Sequence, residues 1–481
     1  SMEYMDLTDG DSTKVISKIP HFKSPINYLE RGSVVYYGSV PERAKPVSSV
    51  INTIMSDSVE RHFGVKNVYG NPTNLRSWKP YRNALVNISQ PKYKDPHLLR
   101  LAVYDYHEDI LMALRNRDIL HANPLDERTV LSGLDGDDTY KHMDIKTSSG
   151  WPFKKKKSSF IAPEHHPDDK EHNWHFVMDD WARSRVEALR DRCDKGLRPN
   201  CIFSTSLKVE IKTVKQVVDG EILPKEANPR VFYASSFEFI FLMRQYFLPI
   251  FKLLQSIAES EMSIGVNAMG PDWGKLAERI LKISRQVLEA DQQKFDQTVT
   301  TDEQIPQYRF LIRIAELCGY SEKSLRIMRN LVSCVLTPII EFDSDLLTLF
   351  MIAMSGTMGT AQLNSMINAV RFRMFFHYLI QIIQSFRELI ESEGGSRLAY
   401  KKFVCANFYG DDSLTGVHVR ISNHFNMFGF ANFMLSQGVV VTSASKGEIK
   451  SELMDITQVD YLKRSFRFDK ERNVWTAPLA G

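Results

Sequence analysis

The chain predicts an α+β fold, and three observations carry that prediction. Long helical patterns and short strand patterns are mixed along the chain without a steady strand–helix–strand alternation. A strand–turn–strand pattern closes around Gly410, with apolar residues running up to the turn and recurring at alternate positions after it. No internal repeat interrupts the mixture.

The bulk numbers bound the rest. At 481 residues, with 43% apolar and 25% charged content, the chain suits two or three subdomains around a large core. A net charge of +3 argues neither for nor against a nucleic-acid partner, so any basic surface is local. Cys193, Cys201, Cys318, Cys334 and Cys405 are scattered without metal-ligand spacing, which speaks against zinc and for a reducing compartment. Ser1-Met2 reads as the scar of a cleaved tag rather than a signal peptide. The most apolar stretch, 238–251, is interrupted by Arg244 and Pro249 and followed by Lys252; it reads as a buried core helix and not as a membrane span.

Taken in order, residues 1 to about 95 are rich in Pro, Ser and Asn and read as extended segments and loops. Pro96 to about Leu120 has helical periodicity. A loop-rich section to about Pro167 contains Lys154 to Lys157, a run expected on a solvated surface, with contact to RNA phosphate as the sharper alternative. Trp174 to Arg192 reads as helix, and 201–237 as two strands flanking a charged loop. Helices are expected over Phe239 to Ser260 and Asp272 to Ser284, then a buried strand over 285–292 that ends in Asp291. Thr301 to Val335 is helical, and Ala361 to Glu393 forms one or two long helices. Strands surround Gly410, a helix covers about 421–437, and short strands return near 439–442 and 458–467.

The chemistry concentrates at Gly410-Asp411-Asp412, where a hairpin tip presents adjacent carboxylates. Gly136-Asp137-Asp138 repeats the tripeptide without apolar flanks and reads as a solvated turn. Asp291, at a strand end far upstream, is the natural second carboxylate source. Two such segments suit a two-metal phosphoryl-transfer site, with Asp291 and Asp411 as ligands and Asp412 as a second or alternative one. His165, His166, His172 and His175 near Asp168 and Asp169 are too loosely spaced for a metal site and read as a solvated loop.

Along roughly 147–467 the ordered segments resemble the RNA-dependent RNA polymerases of picornavirus-like positive-strand RNA viruses. Thr147, Ser148, Gly150 and Pro152 are similar to the loop that admits and primes on template RNA. Lys208, Lys212 and Arg230 match the cations that hold the incoming triphosphate, with either Lys215, before a longer insert over Val217 to Asn228, or Lys225, within it, completing the set. The resemblance gives Asp291 a metal and Asp296 the ribose. Ser355, Gly356, Thr360 and Asn364 match the following loop and helix. There the glycine would allow a tight mobile loop beside the template, and the polar side chains would hydrogen-bond one another, Asp296 and a 2′-hydroxyl. Tyr409 to Asp412 matches the catalytic turn and Lys446 the general acid for pyrophosphate. Lys463 and Arg464 match the primer grip.

The resemblance implies a right-hand polymerase: fingers over 1–247 and 303–352, palm over 248–302 and 353–467, and only the start of a truncated thumb over 468–481. The palm would be a small antiparallel sheet packed on helices. It implies Mg²⁺ or Mn²⁺ as cofactor, template and primer RNA and NTPs as partners, and a protein primer and other viral replication proteins beside them, in host cytoplasm at membrane-associated replication complexes. A thumb-less chain is expected to elongate poorly. A reverse transcriptase and a non-catalytic RNA-binding scaffold remain the alternatives.

Overall fold

The structure is a computed structural model; it describes residue 20 and residues 24–479, apart from 31, 41–55, 67, 73–77, 91, 138, 166–173, 200, 209, 211, 219–220 and 444–447. Two five-stranded sheets organise the described residues. The first runs in the order Val35–Ser39, Asp345–Thr348, Ile339–Phe342, Ile202–Leu207, Val231–Ala234. Its pairs are antiparallel except Ile339–Phe342 against Ile202–Leu207. The second is wholly antiparallel: Val404–Tyr409, Asp412–Val417, Gln286–Gln292 and Val441–Thr442 in order, with Met454–Asp455 also pairing the Gln286–Gln292 strand.

The second sheet lies on the helix Thr360–Ile382, which also packs on the helix Pro96–Asn116. That long helix is buried almost all round (Leu363, Met366, Ile367, Val370, Phe372, Phe375 and Phe376 are in the core), as a helix between two packed layers must be. The helix over Phe237–Gln255 is likewise a core element despite Pro249 inside it. No helix among the described residues is long and apolar enough to cross a membrane. Thr300 opens the helix Thr301–Leu317 with a complete capping box: its hydroxyl accepts from Glu303 N–H, and the Glu303 carboxylate accepts from Thr300 N–H.

Several sequence expectations are corrected. Residues before 95 are not all loop: Ser56–Phe63 and Lys79–Ser89 are helices, and the second buries Tyr81, Ala84, Leu85 and Ile88, a one-face helical spacing. Trp174 opens a strand, Trp174–Met178, paired with Ile161–His165. The helix begins only after Asp179, whose side chain caps it at Ala182 N–H. The 301–335 region is two helices, Thr301–Leu317 and Glu322–Leu336, parted near Gly319 at a φ of +88°. The hairpin Ile339–Phe342 and Asp345–Thr348 has no counterpart in the sequence reading.

The lysine run is not a uniform solvated surface. Lys155 and Lys156 are exposed. Lys154 pairs with the buried Glu341 at 3.2 Å and lies over the Trp151 ring, and Lys157 is buried with its ammonium on Thr147 Oγ1 and the Ser148 carbonyl. Gly136-Asp137 does form a turn, but Asp137 is bound into the fold: it pairs with Lys252 and accepts from the Thr139 and Tyr140 N–H groups. His166 and His172 fall outside the described residues.

Candidate active site

Two neighbouring strands bring the predicted carboxylates to one end of the palm-like sheet. In the ladder between Gln286–Gln292 and Asp412–Val417 the last pair is Ala290 with Ser413, and Asp291 and Asp412 each stand one position beyond it. On its other side Asp291 is paired with Thr442. Gly410, at a φ of +65°, makes the tight turn that leaves Asp411 at the tip. Asp411 and Asp412 are exposed, and Asp291 is half-buried.

Among the described residues no three acidic, His or Cys side chains converge as a closed cation cage, so the three carboxylates are neighbours rather than a finished set of ligands. Chain direction explains this: successive residues around the tip point to opposite sides, and like charges repel. Carboxyl groups crowd this end of the sheet, and two of them are shifted. Burial pushes the Asp296 carboxyl up to about 6, Asp411's charge adding to the effect. Burial likewise pushes Glu289 up to about 7, helped by Asp460 and Asp412. An all-oxygen donor set of carboxylates fits a hard divalent cation such as Mg²⁺ or Mn²⁺. Asp291, Asp411 and Asp412 are the residues that would hold it.

Beside the carboxylates, Asn364 Nδ2 donates to Asp296 Oδ1 at 2.9 Å. Thr360 does not join this pair. Its hydroxyl turns back to the Met354 and Thr357 carbonyls and secures the first turn of its own helix. Ser355 Oγ and Asn364 Oδ1 are buried with no hydrogen-bond partner. These two unsatisfied atoms near Asp296 suit a polyhydroxylated ligand better than an apolar one.

The expected mobility of the glycine loop is not what the packing allows. A Cβ on Gly356 would lie 1.6 Å from the Tyr233 carbonyl oxygen, and Ser235 Oγ donates to the Gly356 carbonyl at 2.9 Å. Gly150 is similar, with a Cβ 2.4 Å from the Ser235 carbonyl oxygen. Both glycines therefore admit protein backbone, and the 147–152 and 354–360 loops are stitched to one point, Tyr233 to Ser236. Phe237 N–H donates to the Ser149 carbonyl, Gly150 N–H to Ser148 Oγ, and Thr147 Oγ1 receives Lys157. Pro152 follows a cis peptide.

The expected triphosphate cations do gather, around a residue the sequence reading passed over. Glu210 pairs with Lys208 at 3.3 Å, Lys212 at 2.9 Å and Arg230 at 2.9 Å. Although burial works to raise it, hydrogen bonds from Arg230 and Lys212 hold the Glu210 carboxyl down at about 2. Arg230 also feels the charges of Asp411 and Asp296, which ties this cluster to the carboxylates. Lys215 opens the exposed hairpin Lys215–Val218 and Glu221–Pro224, which leads into the insert noted in the sequence, and Lys225 N–H closes onto the Val214 carbonyl. The alternation Lys208, Glu210, Lys212 carried the signal for Glu210: side chains two apart share a face of an extended segment.

Lys446 lies outside the described residues. Lys463 sits exposed at a turn between Tyr461 and Arg464, with Leu462 and Lys463 both at positive φ. Arg464 is partly engaged, donating to the Ala477 carbonyl at 2.9 Å. Residues 467–476 form a small hairpin whose Trp475 packs with the Trp273 cluster.

Comparison with known proteins identifies the family and the fold. A family profile described as viral RNA-dependent RNA polymerase matches residues 58–480. The chain is 24% identical over 364 residues to the genome polyprotein of Rice tungro spherical virus (strain A), covering 73% of the chain and 10% of that polyprotein. It is 24% identical over 307 residues to the replicase polyprotein of Acute bee paralysis virus (strain Rothamsted), covering 63% and 15%. The matched region thus spans between about a tenth and a seventh of the length of these relatives. Among solved structures, the Sicinivirus 3Dpol RNA dependent RNA polymerase superposes with a TM-score of 0.69 at 17% identity, covering 93% of this chain and 85% of that one, a likeness of fold. With the profile spanning most of its length, the chain belongs to the viral RNA-dependent RNA polymerase family.

Proposed function

We propose that the chain extends an RNA 3′ end with NTPs on an RNA template, as the replication enzyme of a positive-strand RNA virus. The observation that supports this reading is the ladder whose last pair, Ala290 with Ser413, lies one position from Asp291 and Asp412, with Asp296 bonded by Asn364. A pair of Mg²⁺ or Mn²⁺ ions bound by Asp291, Asp411 and Asp412 would supply charge neutralisation at the attacking oxygen and at the leaving pyrophosphate. The remaining work falls to side chains. Arg230, Lys208 and Lys212 exchange Glu210 for triphosphate oxygens, which offer more charge than one carboxylate. Asp296, held by Asn364, accepts from a ribose hydroxyl, and the unpartnered Ser355 Oγ and Asn364 Oδ1 fill their hydrogen-bonding capacity on the same sugar. Lys446 delivers the proton to pyrophosphate.

In this reading 1–247 and 303–352 are fingers, and 248–302 and 353–467 are palm. Thr147, Ser148, Gly150, Pro152 and Gly356 border the template. Lys463 and Arg464 hold the primer strand. Replication proteins and a protein primer at host membranes are the expected partners in the cytoplasm.

Primer extension tests the reading. Wild-type chain incorporates NTPs on a primed RNA template, prefers them to dNTPs, and loses incorporation on Asp411→Ala while RNA affinity stays within about twofold. Incorporation by Asp411→Ala equal to wild type refutes the assignment. RNA binding without incorporation by the wild type leaves a scaffold role in its place.

A further inference from the structure

The sheet ladder does not by itself fix the catalytic turn. Pairing between the two hairpin strands ends at Tyr409 and Asp412, so the carbonyls of Gly410 and Asp411 have no partner across the ladder. Both are taken by one side chain. Asn368 Nδ2 donates to the Gly410 carbonyl at 3.3 Å and to the Asp411 carbonyl at 3.2 Å, while Ser365 Oγ accepts from Gly410 N–H at 2.9 Å. Asn368 in turn is held from behind. Its Oδ1 accepts from Gln292 Nε2 at 2.7 Å, Gln292 Oε1 accepts from Arg371 Nη1 at 2.7 Å, and Arg371 closes on Glu303 at 2.7 and 3.2 Å.

Three features make this chain of bonds more than core filling. Gln292 directly follows Asp291, and strand alternation sends its side chain inward where Asp291 looks toward the site. Asn364, Asn368 and Arg371 are four and three residues apart on one helix, so a single helical face touches Asp296, the turn and Gln292. Every member is out of solvent: Gln292 is 1% exposed, and Asn368, Arg371 and Glu303 are 0%. A fully satisfied buried network of this kind has one arrangement.

We propose that Gln292, Asn368 and Arg371 are positioning residues of the polymerase site, a buried relay that holds the Gly410–Asp411 turn in fixed register against the strand bearing Asp291. The inference rests on the proposed role of those aspartates. It assigns the spacing of the acidic groups to the amide pair Gln292–Asn368, with Arg371 and Glu303 as its anchor. Loosening the relay leaves the substrate-binding cations around Glu210 untouched. It therefore lowers turnover and divalent-ion affinity rather than nucleotide affinity.

The test uses two size-matched substitutions in the full chain, Asn368→Leu and Gln292→Met, with Val186→Ala in the buried face of the helix Asp180–Asp194 as a destabilised control remote from the site. Single-nucleotide incorporation gives kcat and the NTP KM, and electron paramagnetic resonance gives Mn²⁺ binding without nucleotide, all well below each melting temperature. Both relay variants lose roughly 10- to 100-fold in kcat, as supporting partners of metal ligands typically do, with KM within about threefold and Mn²⁺ bound several-fold more weakly. The control keeps wild-type kcat and Mn²⁺ binding. Should Asn368→Leu fail to fold, Gln292→Met, which spares the turn contacts, carries the same readouts. Wild-type kcat and Mn²⁺ binding in folded relay variants overturn the proposal, as do losses no larger than the control's. Asp411→Ala run alongside separates the two levels: if it is inactive while the relay variants match wild type, only the relay falls.

Discussion

Gly356→Ala is the sharpest single perturbation the structure offers. The added Cβ would stand 1.6 Å from the Tyr233 carbonyl oxygen and 2.6 Å from its carbonyl carbon, with Ala234 Cα at 3.1 Å. An ordinary contact needs 3.4 Å or more, so one backbone must retreat by roughly 1.8 Å, and neither is a flexible side-chain end. The retreat breaks the bridge between Ala234 and Gly356 and the bond from Ser235 Oγ to the Gly356 carbonyl. Losing two buried hydrogen bonds and native packing costs about 2–4 kcal/mol. Ser355 and the start of the Thr360–Ile382 helix move with the loop, and a misplacement of about 1 Å costs on the order of 10²-fold in rate. Gly274 supplies the internal control. It lies inside the helix Asp272–Leu281, and a Cβ there meets only the Trp475 carbonyl oxygen at 3.9 Å, so Gly274→Ala raises stability by about 0.5–1 kcal/mol. Thermal unfolding and single-nucleotide incorporation of both variants read the difference. A Gly356→Ala chain that melts and incorporates like wild type refutes the argument that this loop is fixed by backbone contact.

Other consequences are equally direct. Arg371→Met strands the fully buried Glu303 carboxylate and lowers stability by about 3–5 kcal/mol in denaturant unfolding, whereas replacing both residues by Leu recovers most of it; equal losses in the two variants contradict the ion-pair account. Asp296 has a carboxyl raised to about 6 against an unfolded value near 4, so the folded chain holds a proton that the unfolded chain has released, and stability falls as pH rises between those values. Asp296→Asn flattens that fall and, in EDTA at neutral pH, melts higher, by of order 2–3 kcal/mol; an unchanged slope from pH 4 to 6 in calorimetry argues against it. Lys157→Met removes the ammonium from Thr147 and Ser148 and loosens the 147–152 loop, weakening RNA affinity about three- to tenfold by fluorescence anisotropy while leaving the NTP KM unchanged; a KM change as large as the RNA effect would place the loop elsewhere in the cycle.

The strand–turn–strand around Gly410 and the strand ending near Asp291 were legible because their signals are local: apolar alternation, a turn glycine and acidic residues at the ends. The long helix was legible from length and apolarity alone, but its division at Ile383 was not, since Gln384 and Ser385 carry no strong breaker. Trp174–Met178 was misread because its register partner, Ile161–His165, lies across a long connection and a pairing has no signature within one segment. The early helix Lys79–Ser89 hid behind the Pro- and Ser-rich composition around it, although Tyr81, Ala84, Leu85 and Ile88 stand at helical spacing. At the site, residue types could be read as chemistry, but the partners they choose could not. Lys154 and Lys157 turn inward because Glu341 and the Ser148 carbonyl need them. Gly150 and Gly356 make room for the backbone of Ser235 and Tyr233, partners that no local signal announces. Arg371 and Arg373 are cations within an apolar stretch, and their meaning required Glu303 and Glu261 to be seen beside them.

One helix, Thr360–Ile382, grips Asp296 through Asn364 and the acidic turn through Ser365 and Asn368. In the proposed reading, sugar discrimination and bond-making chemistry hang from the same rigid rod. Anything that tilts it adjusts accuracy and speed together, so substitutions selected for faster copying along this helix should misincorporate more, and slower ones should copy more faithfully.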